Sequence, residues 1–380
     1  MNDITIDKTG WKKWRFDEFA QNISERIEPS QTDLDVYVGL EHIDPDTLHL
    51  SRHGHPSDVE GTKLRFYKGD IIFGRRRAYQ RKTALATTNG ICSAHAMVLR
   101  AKEDVVDPSF FPFLFHSKHF IDMAITISVG GLSPTINWKD ISKQEFLLPP
   151  KSEQKCLAEL LWAADEMIEK EKNVLKELRD EIQIIIKENT NNSANKKISF
   201  SDLVEVNPST TIAKEEISLI TMSDISEEGD IINKVKTQLK ELRGKGLTPF
   251  KENDILFAKI TPCMENGKGV IAKNLYNGVG LGSTEFHVLR PKLDTDLYYC
   301  YYLTMSKTFR KQAEKQMTGS AGQKRVQPEF FDFYKVYAPS IEQRKIIGNK
   351  LYEIDCTIAK TKVQISLSQQ LKQELINHIF

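Results

Sequence analysis

The densest chemistry in this sequence lies in FGRRRAYQRK, residues 73–82, where Arg75, Arg76 and Arg77 leave an apolar run and Tyr79, Gln80, Arg81 and Lys82 follow. Arginine forks match phosphate oxygens and guanine edges, and glutamine can read adenine, so the loop carries the tools of a DNA reader. A solvated basic loop is the plain alternative, at even odds when the loop is taken alone. A related but less basic stretch, FAKITPCMENGKGVIAK (257–273), offers Lys259, Asn266, Lys268 and Lys273. Two glycine-containing loops form a second pair. GGLSPTINWKD (130–140) presents Ser133, Thr135, Asn137 and Lys139, and GSAGQKRVQ (319–327) presents Ser320, Gln323, Lys324 and Arg325, with Gln327 behind them. Glycine permits close backbone approach to a phosphate chain, and the polar side chains can reach bases. Recurrence of both loops at equivalent places favours function over two ordinary turns.

Catalytic arrangements are not found. His53-Gly54-His55 has no carboxylate or third ligand spaced around it and reads as exposed loop histidines. GVGLGS (278–283) lacks the Lys-Ser/Thr of a phosphate-binding loop and the strand–helix context of a dinucleotide site. Asp107-Pro108-Ser109-Phe110 and Asn207-Pro208-Ser209-Thr210 each lack the second proline of the motif that adenine methyltransferases use. The five cysteines (Cys92, Cys156, Cys263, Cys300, Cys356) are odd in number and scattered without CxxC, which supports neither a disulfide framework nor structural zinc.

The elements that would position these loops come twice. LLPPKSEQK (147–155) lies over VYAPSIEQRK (336–345) at a shift of about 189 residues. KGDIIFGR (68–75) matches KENDILFAK (251–259), and YVGLEHI (37–43) matches LITMSDI (219–225). A 380-residue chain that repeats once is a duplicated module, since the period is too long for a solenoid. Each copy reads as α+β. Val36–Leu40, Ile71–Phe73, 96–102 and 287–292 look like strands. Residues 107–125 and 294–317 look like aromatic-rich helices capped by Asp107 and by Asp294 or Asp296.

After each copy comes a heptad seam. Leu157, Leu161, Ala164, Ile168, Leu175, Leu178, Ile182 and Ile185 recur by fours and threes, interrupted at Glu171; the 35 residues would make a rod of roughly 50 Å. Ile347, Leu351, Ile354, Ile358 and Ile365 repeat the steps, after which Ser368 and Lys372 fall on the seam and blur it, while Leu367, Leu371 and Leu375 carry a neighbouring stripe. One such helix cannot bury its own stripe, so the two are expected to pair antiparallel within the chain. The expected divisions are 1–150, a long helix over 151–190, a polar linker at 191–198, a second domain over 199–340 and a last long helix over 341–380. Charge is segregated: residues 61–100 carry nine Lys/Arg against Asp70 alone, whereas 153–187 are net acidic. The first region is built to meet an anion and the rod is not. No apolar run approaches a membrane span and the first residues lack a signal-like apolar core, so no membrane and a cytoplasmic location are expected.

Two globular copies, each followed by a long helix that begins at Pro150-Lys151-Ser152-Glu153-Gln154 or Pro339-Ser340-Ile341-Glu342-Gln343, resemble the specificity subunit of type I restriction–modification systems. The resemblance covers essentially the whole chain. It implies two target-recognition domains separated by an antiparallel two-helix coiled coil, each domain reading one half of a split, asymmetric site in double-stranded DNA. It implies docking of two methyltransferase subunits, and of two restriction/motor subunits in the full enzyme. It also implies a prokaryotic, nucleoid-associated protein without catalysis or cofactor of its own, S-adenosylmethionine and ATP/Mg belonging to the partners. Rods of roughly 50 Å could then hold readers in successive major grooves, about 34–36 Å apart, and set the unread spacer. Two other readings compete: a fused methyltransferase–recognition fragment, which would need cofactor motifs, and a coiled-coil scaffold that binds no DNA.

Overall fold

In the computed structural model, which describes residues 6–242, 244–320 and 322–380, the chain forms two compact units. The first is Met1–Lys172 with Val363–Phe380, and the second is Asn173–Lys362.

Both units use one strand plan. In the first, a four-stranded sheet runs Ala20–Ile23, Met97–Ala101, Ile71–Phe73, Thr83–Leu85, all antiparallel. In the second, Val204–Val206, Phe286–Pro291, Ile255–Ala258 and Gly269–Ile271 take the same order. Each unit adds a second four-stranded sheet containing one parallel pair, Tyr37–Val38 with Gly90–Cys92 and Glu216–Ile220 with Val279–Gly282. Each also has a two-stranded ribbon next to its long helix, Lys12–Arg15 with Glu145–Leu148 and Lys196–Ser199 with Lys335–Ala338. The α+β duplication expected from the shifted sequence is therefore present strand for strand in the first sheet and the ribbon, and for three strands of the second sheet; there the fourth strand takes opposite edges, Arg26–Ile27 beside Lys63–Phe66 in the first unit and Val235–Gln238 beside Glu216–Ile220 in the second. The GVGLGS stretch is the parallel strand of the second unit. A Cβ on Gly280 would lie 2.4 Å from the Phe250 ring, and one on Gly90, its counterpart, 2.5 Å from Phe66. Glycine there lets an aromatic ring rest on the strand backbone.

A charge pair with a buried carboxylate stands at the start of a central strand in each unit. Asp70 accepts Arg100 through both carboxylate oxygens (2.7 and 2.9 Å) and the Tyr67 amide at 2.8 Å. Asp254 does the same with Arg290 (2.7 and 2.8 Å) and the Lys251 amide at 2.8 Å. The matched KGD and END segments and the two Leu-Arg steps, read separately in the sequence, are thus halves of one knot.

The aromatic segments are two helices each rather than one. Ser117 and Ser306 end the first turn run and cap the next, their Oγ atoms accepting the Phe120 and Phe309 amides. The expected aspartate caps do other work. Asp107 closes a turn through the Ser109 amide at 2.8 Å, and the Asp296 carboxylate is held by Arg344. Phe16, Phe19, Phe73, Phe110, Phe111, Phe113, Phe115, Phe120 and Phe146 then fill the first core, with ring centroids mostly 5–6.5 Å apart.

The long helices are Lys151–Asn191 and Ile341–Ile379. The first runs past the expected linker start because Asn189 and Thr190 bond back to the Ile185 and Ile186 carbonyls (2.8 and 2.7 Å), leaving only a short turn before the Lys196 strand. Asp165 meets Lys372 in the first unit at 2.6 Å, and Glu181 meets Lys350 in the second at 2.8 Å. One index falls as the other rises, so the helices pack antiparallel. Leu161, Ile168, Ile182, Leu351, Ile354, Ile358 and Ile365 are buried, and Leu157, Leu175, Leu178 and Ile347 are partly so. The seam does not blur after Ile365. It continues through Ser368, Lys372, Ile376 and Ile379, all buried, while Leu367 and Leu371 face outward. Lysine is tolerated there because Asp165 is buried opposite it.

The Pro-x-x-Glu-Gln motif welds helix to domain. Gln154 accepts the Asp107 amide (2.7 Å) and donates to the Val105 and Pro149 carbonyls. In the second copy that role moves one residue on, to Arg344, which donates to Asp296 and to the Pro339 carbonyl; Gln343 is exposed.

Candidate nucleic-acid interface

Each unit folds its two candidate loops against one another. In the first, Val129 and Thr135 exchange backbone hydrogen bonds (3.1 and 2.9 Å), closing a five-residue tip, and Thr135 also bridges Arg76. Ile136 donates to the Arg75 carbonyl at 3.0 Å and Arg77 to the Pro134 carbonyl at 2.8 Å. In the second, Thr318 and Arg325 close a tip in the same way (3.0 and 2.8 Å), and Arg325 bridges Ile260. Gly130 and Gly319 open the two tips with φ of +121° and +127°, a conformation L side chains rarely adopt. The recurrence noted in the sequence is a recurrence of one loop junction.

The side chains at the junctions differ. Arg76 reaches Ser133 Oγ at 3.0 Å and His95 at 3.4 Å; Arg77 reaches Ser133 Oγ at 3.2 Å and the Leu132 carbonyl at 3.5 Å. Arg75 holds the Ala94 carbonyl at 3.3 Å. Every partner these three guanidinium groups have among the described residues is neutral. His95 is kept neutral by partial burial and by the charges of Arg76 and Arg75, which push its protonation below the usual imidazole range. Three cations thus face one region with no carboxylate to satisfy them, which is the arrangement an anionic ligand would complete.

Arg81 and Lys82, by contrast, are engaged inside the unit. Arg81 bonds Asp46, the His116 carbonyl at 3.0 Å and Gln373 at 3.4 Å, and Lys82 donates to the Leu40 carbonyl at 2.6 Å. Arg77 and Arg81 flank the Ala78–Gln80 turn with φ of +57° and +54°. Left-handed backbone costs a non-glycine residue roughly 1–2 kcal/mol, and these anchors hold it. Tyr79 projects from that turn half exposed, with Gln80 beside it. Asn137 leads the short Trp138–Ile141 helix and contacts Asp140 at 3.4 Å; Lys139 is exposed on the same helix.

In the second unit Arg325 forms a two-point pair with Glu285 (2.9 and 2.9 Å), which holds the Glu285 carboxyl below its usual range, first through the hydrogen bonds and then through charge. Lys259 is tied by its backbone to Glu285 and Val326. Asn266 donates to Glu227 at 2.7 Å and Lys268 to the Met222 carbonyl at 3.0 Å. Lys273 does not join this junction: it lies over the Tyr298 ring at 4.6 Å and pairs with Asp355 of the last helix at 3.1 Å. Ser320, Gln323 and Lys324 are exposed on the tip. The two junctions share a backbone plan and present different side-chain chemistry.

Sequence reasoning missed two residues that hold the second junction. Arg310 is buried among carbonyls, donating to Met264 (2.9 Å), Thr304 (2.8 Å), Lys268 and Gly267 while lying over the Phe257 ring. Burial lowers its pKa to about 10. His287 contacts the Val326 carbonyl through Nε2 at 2.9 Å, and burial lowers it to about 4, so it stays neutral beside Arg325. Nothing local in the sequence marks either, because the contacts that tie them to the junction, Arg310 to the Met264 carbonyl and His287 to the Val326 carbonyl, lie 46 and 39 residues away. Arg310→Leu is expected to loosen the 264–268 turn by about 1–3 kcal/mol, the cost of orphaning buried acceptors. Hydrogen exchange at the Asn266, Gly267 and Lys268 amides would then speed up ten- to a hundredfold while the strands keep their protection; unchanged exchange there would reject the role.

Comparison with known proteins fits this geometry. A sequence model of the family described as type I restriction modification DNA specificity domain matches twice, over residues 11–180 and 192–372. The specificity subunit of type I restriction enzyme EcoEI of Escherichia coli is 36% identical over 186 residues, 47% of this chain and 31% of that protein. The EcoAI specificity subunit, also of Escherichia coli, is 36% identical over 186 residues, 48% of this chain and 30% of its own length. The chain spans about a third of the length of these curated relatives. Among solved structures, the type I restriction–modification S subunit from M. genitalium superposes with a TM-score of 0.57 at 14% identity, covering 99% of this chain and 97% of that one. A chain from a structural study of complex assembly and conformational transition of the type I R-M system gives 0.55 at 15% identity, covering 97% of each. These likenesses carry the fold, and the doubled family match, aligned with the doubled strand plan and the doubled loop junction, carries the assignment: the protein belongs to the type I restriction–modification DNA specificity family.

Proposed function

We propose that this chain reads a bipartite, non-palindromic site in double-stranded DNA, one half with each loop junction, and performs no chemistry itself. Arg75, Arg76, Arg77, Tyr79, Gln80, Ser133, Thr135, Asn137 and Lys139 are the first reader. Lys259, Asn266, Lys268, Ser320, Gln323, Lys324 and Arg325 are the second. Arg81 and Lys273 stand behind the junctions, their charges met by Asp46 and Asp355, and Lys82 is tied to the Leu40 carbonyl. The observation that carries the reading is the first junction: three guanidinium groups with only neutral partners, on a loop whose backbone plan recurs in the second unit beside different side chains. The antiparallel helices serve as the spacer that separates the half-sites and as the docking face for two methyltransferase subunits, with two restriction/motor subunits in the complete enzyme. S-adenosylmethionine and ATP/Mg belong to those partners, in a bacterial cytoplasm. Exposed Leu160, Met167, Ile184, Ile346 and Tyr352 on the helices support the docking role.

Mapping methylated adenines across the genome, with and without the chain, tests this. A set of split motifs should vanish when the chain is removed. Arg76→Ala should weaken discrimination in one half only, by ~1–3 kcal/mol for a lost bidentate contact. A methylation pattern indifferent to both changes would reject the reading. So would purified chain with no salt-dependent DNA affinity, the behaviour of a protein-only scaffold.

A further inference from the structure

The tip of the first junction carries a side chain that the reading above does not use. Leu132 is 95% exposed, the most exposed large apolar residue among those described, and Val129 at the base of the same tip is also exposed. A lone surface leucine is ordinary. This one is held: its carbonyl accepts Arg77, the next residue's hydroxyl accepts both Arg76 and Arg77, and Pro134 follows. Before it, a Cβ on Gly131 would meet nothing within 4 Å, so the backbone beside Leu132 is open to close approach. An apolar side chain therefore stands at the apex of a loop braced by Arg76 and Arg77, neither of which has a carboxylate partner among the described residues. The second tip has no such residue among those described: Ser320, Gln323 and Lys324 are polar.

We infer that Leu132 is a wedge that enters the stack of the first half-site between two base pairs, while the arginines beside it contact the same half-site. This rests on the DNA-reading function proposed above and deepens it. Apolar wedges unstack one step and kink the duplex, at a cost that depends on the step, and pyrimidine–purine steps open most easily. Leu132 therefore adds specificity at a position that no polar side chain reads, for a TA or CA/TG step, and in one half-site only. Charge decides between DNA and a protein partner as the occupant, because an apolar protein surface would leave Arg75, Arg76 and Arg77 desolvated and unpaired.

The test uses the full chain and duplexes it selects from a randomised pool, with 2-aminopurine walked along the first half-site. Wild type should raise fluorescence several-fold at one step, and Leu132→Ala should return it to the free-duplex level. The same variant should bind the intact duplex about tenfold more weakly and recover to within about twofold on a duplex carrying a mismatch at that step. If Leu132→Ala matches wild type in both fluorescence and affinity while Arg76→Ala is weakened, the wedge is wrong and the reader stands. If Arg76→Ala is also unchanged, or no sequence is selected, the underlying reading fails. Loss of a co-purifying protein from Leu132→Ala with DNA binding intact would assign the residue to a protein contact and overturn the wedge.

Discussion

Arg290→Ala is expected to remove about 3–5 kcal/mol from the second unit, the cost of stranding a buried charge by deleting its partner. Asp254 is fully buried, and apart from Arg290 it has only the Lys251 amide to meet its charge. Arg290 is itself 18% exposed, so water reaches the vacated place poorly. The equivalent change in the first unit, Arg100→Ala, should cost less, about 1–2 kcal/mol. Arg100 is 43% exposed and stacks on Tyr67, so its removal opens Asp70 to solvent and leaves the Tyr67 amide in place. Urea unfolding of the two variants, with hydrogen exchange to assign each loss to its unit, gives the order. Equal losses, or a larger loss for Arg100→Ala, would mean that exposure does not set the cost of this knot. The loss would reach the proposed second reader, because Asp254 leads into the Ile255–Ala258 strand, which runs on to Lys259.

The fold was legible wherever a signal is local or repeated. Ile71–Phe73 and the seam positions from Leu157 to Ile365 declare themselves by periodicity, and the shift of about 189 residues shows that whatever one copy builds the other builds again. What was not legible depends on partners far along the chain. The Asp70–Arg100 and Asp254–Arg290 knots join adjacent strands whose pairing the sequence does not announce. The handover from Gln154 to Arg344 moves the same job one residue along, so matching Gln154 to Gln343 by motif alone picks the exposed residue. Ser117 and Ser306 look like ordinary interior residues until their Oγ atoms are seen to accept an amide three residues on.

At the site, the basic run from Arg75 to Lys82 was found whole, but charge count could not sort it. Arg81 is as basic as Arg75, and only its distant counter-charge, Asp46, separates the brace from the free cation. Leu132 was passed over for the opposite reason. An apolar residue among glycines, serine and proline gives no periodic signal and reads as part of a turn. Its exposure becomes informative only when the arginines beside it are seen to lack counter-charges.

The polar break in the helix seam supplies the last expected result. Asp165→Ala should destabilise the first unit by about 3–5 kcal/mol, because Lys372, 9% exposed, would keep its charge in an apolar seam with no carboxylate opposite. Asp165→Leu combined with Lys372→Leu should recover most of that loss, since two buried charges are exchanged for apolar packing beside Leu161 and Ile376. The pH dependence separates this from a simple packing defect. Burial alone would raise the Asp165 carboxyl, but hydrogen bonds from His49 (2.5 Å) and Lys372 (2.6 Å), with their charges, overcome it and pull the carboxyl to about 2. A depressed carboxyl stabilises above its ordinary value near 4 and loses that contribution as the pH falls toward 2. His49 works in the other direction: its hydrogen bond to Asp165 raises its protonation range, so its share is complete below the ordinary imidazole value near 6.5 and fades as the pH rises through the raised one. The gap between wild type and Asp165→Ala should therefore be widest between about pH 4 and 6.5 and narrow on both sides, and the double-leucine chain's own stability should lack this pH dependence over the same range. A gap that does not vary with pH, or a double-leucine chain as unstable as Asp165→Ala, would show that the pair is not what fixes the alignment of the two helices.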